Sequence, residues 1–137
     1  MGTQGSILIV DDEFGLAEML RDMLRELDYD VALAINGQLA LKVLQERSVD
    51  LVITDLMMPV MDGVELGAAI RNNEALRRIP IVMMTSLPTA LPQQDHLFDA
   101  VIRKPFTPEL LMRTVNECLG KAPDRGDDQP LSARALP

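Results

Sequence analysis

The sequence predicts an α/β fold built around a parallel sheet, and two observations carry that reading. Short apolar runs recur at 7–10, 51–54 and 81–84, with a shorter one at 101–103, and helical stretches separate them. Runs of that length and Val/Ile/Leu content read as strands buried on both faces of a parallel sheet. The residue just past each run is polar: Asp11 and Asp12, Asp55, Thr85, and Lys104 followed by Pro105. In open α/β sheets the ligand crevice lies beyond the carboxyl ends of the strands. These scattered residues are therefore expected to converge on one edge of the sheet.

The elements follow in order. After the first strand, Leu16, Leu20, Met23, Leu24 and Leu27 fall at helical spacing with charged residues between them, which predicts an amphipathic helix over 14–28. A second strand is expected over 31–35. Asn36 and Gly37 then read as a turn leading into a helix over 39–46. The third strand spans 50–55. A helix over 63–74 follows, with Asp62 placed to cap its first turn. Pro80 suits the opening of the fourth strand, 80–84. The fifth strand is 100–103. The last helix, 107–119, has Thr107 as its cap, Pro108 in its first turn and Gly120 just past its end.

Two stretches break the alternation. Between the fourth and fifth strands Pro88 and Pro92 leave room only for a short helix over 92–98. The tail 121–137 is rich in proline and charge without periodicity and reads as disordered, as residues 1–5 read as a flexible N-terminus. One domain, 6–120, is left between them.

Composition narrows the function classes. The 13 basic and 21 acidic residues leave a net charge of −8, which argues against direct nucleic-acid binding and against docking on an anionic membrane. No apolar run approaches membrane-spanning length, and a cytoplasmic location is expected. Cys118 is the single cysteine and His96 the single histidine, so neither a disulfide nor a Cys/His metal cluster can form within the chain. Cys118 reads as a small residue on the last helix, and His96 as a solvated residue in the irregular segment. The methionines at 57, 58, 61, 83 and 84 read as packing residues.

The chemistry of the strand ends is specific. Asp11, Asp12 and Asp55 gathered at one edge would repel one another unless a cation intervenes. A hard divalent ion such as Mg2+ suits oxygen ligands of this kind. A carboxylate can also act as the nucleophile on phosphorus. The ammonium of Lys104 would neutralise charge on the transferring group, and the Thr85 hydroxyl would bond one of its oxygens.

Between residue 6 and about residue 120 the chain resembles the receiver domains of response regulators in two-component signalling. The matching residues are the 7–10 run with Asp11, Asp12 and Glu13, then the block 55–63 (Asp-Leu-Met-Met-Pro-Val-Met-Asp-Gly), then Thr85 and Ser86, then Lys104, Pro105 and Phe106. The resemblance implies a flavodoxin-like, three-layer sandwich with strand order 2-1-3-4-5. It implies that Asp55 accepts phosphate from a histidine kinase or a histidine phosphotransfer protein, and that Asp11, Asp12, Asp55 and the backbone carbonyl of Met57 hold Mg2+. Thr85 and Lys104 would contact the phosphoryl group, and the Lys104–Pro105 bond would be cis. It also implies a switch residue on the last strand, a place read here as Ile102 where the family usually carries an aromatic ring. The stretch between Thr85 and Lys104 is shorter than usual for the family, so the face around the fourth segment is expected to be remodelled.

Two other readings compete. An aspartate-based phosphatase would carry a second carboxylate two places after its nucleophile, and Met57 stands there instead. The chain is therefore expected to catalyse only its own phosphorylation and dephosphorylation. The second is a docking module of the same fold that works without phosphorylation. The output in either case is expected to pass to another protein, unless the chain is part of a longer regulator.

Overall fold

The structure is a computed structural model that describes residues 4–86 and 96–120. Its elements are β1 (Gly5–Val10), α1 (Phe14–Glu26), β2 (Tyr29–Ala34), α2 (Gly37–Glu46), β3 (Leu51–Asp55), α3 (Gly63–Arg71), β4 (Ile81–Thr85), β5 (Ala100–Arg103) and α4 (Pro108–Cys118). The strands form one parallel sheet in the order β2-β1-β3-β4-β5, the expected topology. Registers such as Val10 beside Thr54 and Asp55 beside Met84 bring the carboxyl ends of the central strands level.

Alternation along β1 divides the core. Ile7 and Ile9 pack with Leu20 and Leu24 of α1 and Leu111 and Val115 of α4. Leu8 and Val10 point the other way, onto Ala40 and Leu44 of α2 and Leu66 and Ile70 of α3. Successive side chains of a strand face opposite sides, so a continuous apolar run feeds two layers of helices. All four of these β1 residues are fully buried. Each such side chain contributes about 1.5–3 kcal/mol relative to exposure.

Several element ends differ from expectation for local reasons. The first strand begins earlier, at Gly5, where the Asp50 carboxylate accepts from the Ser6 N–H at 2.8 Å. The helix expected from residue 39 begins at Gly37. Asn36 is its cap, accepting from the Leu39 N–H at 2.8 Å. Gly37 serves close approach rather than a turn: a Cβ there would lie 2.9 Å from the Met61 carbonyl oxygen. The helix expected to reach residue 74 stops at Arg71. Its start is a capping box in which Asp62 accepts from the Glu65 N–H and Glu65 accepts from the Asp62 N–H.

Of the short helix expected over 92–98, residues 92–95 lie outside the described residues, as do the tail and residues 1–3. His96 is exposed, and His96 and Leu97 have tight helical backbone. The chain entering β5 is held against α3. Arg71 donates to the carbonyls of Leu97 (3.1 Å), Arg77 (2.9 Å) and Ile79 (2.7 Å) and pairs with Asp99 at 2.8 Å. Cys118 is half-buried, and burial pushes its thiol up to about 11, with the charges of Asp99 and Glu117 adding to the rise. Among the described residues no helix is long and apolar enough to cross a membrane.

Candidate phosphoryl-transfer site

The carboxyl ends of β1, β3, β4 and β5 deliver the polar residues to one recess of about 330 Å³, lined by Asp12, Glu13, Asp55, Met57, Thr85 and Lys104 among others. The backbone sets their places. The Leu56 N–H donates to the Met84 carbonyl at 3.0 Å and the Lys104 N–H to the Thr85 carbonyl at 2.8 Å, so Asp55, Thr85 and Lys104 leave the sheet side by side. The Lys104–Pro105 bond is cis.

Oxygens of Asp11, Asp12 and Asp55, one from each carboxylate, all lie within 4.8 Å of one another. The ammonium of Lys104 sits 3.0 Å from Asp55 Oδ1, 3.5 Å from Asp11 Oδ2 and 3.7 Å from Glu13 Oε1. Asp11 Oδ1 accepts from the Glu13 N–H at 2.8 Å. Asp11 Oδ2 is buried and accepts no hydrogen bond from the described residues. A carboxylate oxygen in that condition is costly to bury unless a cation meets it. Lys104, 3.5 Å away, meets it in part, and the three-carboxylate set fits a hard divalent ion with oxygen ligands.

Electrostatics reflect the crowding. Burial raises the Asp11 carboxyl above its ordinary value, and the Glu13 N–H and the Lys104 charge offset only part of the rise. Burial alone would lower the Lys104 ammonium. The hydrogen bond to Asp55 and the charges of Asp11, Asp55 and Glu13 outweigh it, so its pKa is raised and it stays charged.

The sequence reading places Asp11, Asp12, Asp55, Thr85, Met57 and Lys104 together, and the structure does the same. Ile102 is different. It is 4% exposed, in the core with Ile9 and Leu111 beneath α4, so its side chain does not face the site or the surface. The outward positions on β5 are Val101, 44% exposed, and Arg103. The cause is the two-residue period of a strand, which sends Ile102 to the opposite face. Glu13 joins the site as well, through its ion pair with Lys104. Its place directly after two site carboxylates was the available signal.

The loop between β3 and α3 carries local strain. Val60 has φ of +70°, and the Met61 N–H donates back to the Pro59 carbonyl at 2.7 Å, closing a three-residue turn. A β-branched residue in that region costs about 1–3 kcal/mol, whereas glycine takes it freely at the expense of unfolded-state entropy. Val60→Gly is expected to stabilise the domain by about 1 kcal/mol in a urea titration. An unchanged or lower midpoint would show that the turn is not strained.

The fold is a doubly wound parallel sheet with three acids and a lysine at its carboxyl edge. The pattern of the response regulator receiver domain matches residues 7–116, and the chain belongs to that family. The DNA-binding response regulator MtrA of Mycobacterium tuberculosis is 37% identical over 127 residues, which cover 90% of this chain and 53% of MtrA. The chain thus spans about half the length of the curated relatives it matches. Among solved structures, the chemotaxis response regulator CheY4 of Vibrio cholerae aligns with a TM-score of 0.77 at 31% identity, covering 85% of this chain and 100% of that one. The response regulator TrrA of Thermotoga maritima, solved in complex with Mg(2+)-BeF, gives the same TM-score, identity and coverage.

Proposed function

We propose that this domain is a phosphorylation-dependent switch in which Asp55 accepts a phosphoryl group from a phosphohistidine on a histidine kinase or a histidine phosphotransfer protein. The observation that supports it most is Asp55 Oδ1 at 3.0 Å from Lys104 Nζ, in a recess shared with Asp11, Asp12 and Thr85. Asp11, Asp12, Asp55 and the Met57 carbonyl would hold Mg2+, which supplies positive charge against the phosphoryl oxygens.

The remaining work falls to the chain's own residues. An Asp55 carboxylate oxygen forms the bond to phosphorus as the phosphorus–nitrogen bond of the donor breaks, and the electron pair leaves with the imidazole nitrogen. Lys104 exchanges Asp55 Oδ1 for a phosphoryl oxygen, and the Thr85 hydroxyl bonds another. Both residues are tied by the backbone bond from Lys104 to Thr85, so movement of one is felt by β4 and β5 together. Met57 offers no proton to a leaving group, so the chain catalyses only its own phosphorylation and dephosphorylation. The altered loops change binding to a downstream protein in the cytoplasm. The net charge of −8 argues that this domain does not touch nucleic acid itself.

Intact mass spectrometry after incubation with Mg2+ and acetyl phosphate tests this reading. One added phosphoryl group is expected in the parent, with none in Asp55→Asn and none when chelator replaces Mg2+, because an amide is a poor nucleophile. An adduct that persists in Asp55→Asn would overturn the assignment of the acceptor. No adduct in the parent, and no NMR shifts around Asp55 on adding beryllofluoride, would favour a docking module that works without phosphate.

A further inference from the structure

The strongest feature that the switch itself does not use is Glu13. It stands at the N-cap of α1, and its side chain makes no capping hydrogen bond. Glu13 Oε1 instead lies 3.7 Å from Lys104 Nζ. Its side chain is 67% exposed while those of Asp11 and Asp55 are buried or nearly so, which puts Glu13 at the mouth of the recess and the other two acids at its floor. The same residue holds Asp11 through its N–H, so its backbone position is set by the site. A free anion that reaches the ammonium therefore meets a carboxylate 3.7 Å from it.

We propose that Glu13 is a specificity-determining residue: a negative charge at the mouth that shares Lys104 with Asp55 and disfavours small anionic phosphodonors. This rests on the reading of Asp55 as phosphoacceptor. A free donor has only its charge and a few contacts to bring it in, so a like charge at the entrance acts on its full encounter. A protein donor brings binding energy from a wider surface, which offsets the same repulsion. The physical prediction is a dependence on donor charge. Acetyl phosphate is a dianion at neutral pH and phosphoramidate a net monoanion. With the first, the Asp55 oxygen–phosphorus bond forms as the bond to the acetyl oxygen breaks, and acetate leaves with the electron pair. With the second, the phosphorus–nitrogen bond breaks and ammonia leaves.

The test compares initial rates of adduct formation for the parent and Glu13→Gln, by intact mass spectrometry at fixed Mg2+, with each donor. Glutamine has the same shape, so the change is one of charge. The variant is expected to react about tenfold faster with acetyl phosphate and about threefold faster with phosphoramidate, since the effect is exponential in donor charge. Both ratios should fall toward one in about 0.5 M KCl, where exposed charges are screened. A rate ratio near one at low salt, a slower variant, or equal acceleration with the two donors would overturn the proposal while leaving Asp55 as acceptor. A parent that takes no phosphoryl group from either donor would overturn both.

Discussion

Lys104→Ala is expected to destabilise the metal-free domain by about 2–4 kcal/mol, because it removes the one cation that, among the described residues, faces two buried carboxylates. Asp11 has no side-chain exposure, and Asp55 has little. With Lys104 gone, the two carboxylates lose the cation they share. The sign of the pH dependence follows from the Asp11 carboxyl, which is already raised by burial. A group whose folded pKa is raised favours the fold below its unfolded value and loses that contribution as pH rises through the folded value. Removing Lys104 raises it further. The gap between parent and variant should therefore be narrow near about pH 4 and widen toward about pH 7. Millimolar Mg2+ should recover part of the loss at neutral pH, because a cation in the same cluster replaces the missing ammonium. Urea titrations across that range check it. A loss that does not vary with pH would assign the effect to packing of the lysine stem instead.

Gly63→Ala is expected to lower stability by about 3 kcal/mol, near the upper end for overpacking a tight site. A Cβ at Gly63 would fall 2.5 Å from the Asp55 carbonyl oxygen and 3.1 Å from Leu56 Cα. Both are backbone atoms, so no rotamer change relieves the clash. The Gly63 N–H also donates to the Leu56 carbonyl at 2.8 Å, which pins α3 to the end of β3. Alanine would otherwise favour a helix by up to about 1 kcal/mol over glycine, so propensity and contact predict opposite signs. A melting temperature about 10 °C lower, with slower acceptance of phosphate as Asp55 shifts away from Lys104, is the expected result. A higher melting temperature would mean that the contact yields freely.

The class of fold and most of the site were legible because both follow from short-range rules. Apolar runs of strand length, with helical periodicity between them, leave little choice but a sheet covered on both faces. Residues at strand ends converge whenever the strands are parallel, so Asp11, Asp55, Thr85 and Lys104 were readable as one group. The cap at Asp62 was visible for the same reason, and the Glu65 half of its box was present three residues on.

Other features depend on distances that no local pattern encodes. Asn36 reads as a turn residue by type, but its carbonyl oxygen in the side chain meets the Leu39 N–H and starts α2 at Gly37. The anchoring of residues 97–99 on Arg71 joins α3 to a segment 26–28 positions further along the chain. The inward face of Ile102 was set by the packing of α4 on β5, and the partner of Glu13 by where Lys104 leaves the sheet. By itself the sequence determined the architecture and the residue types at the sheet edge, since periodicity and strand direction act through neighbours along the chain. Tertiary structure alone decided which carboxylates share the ammonium and which β5 residues face outward, because Coulombic and packing energies depend on separation in space.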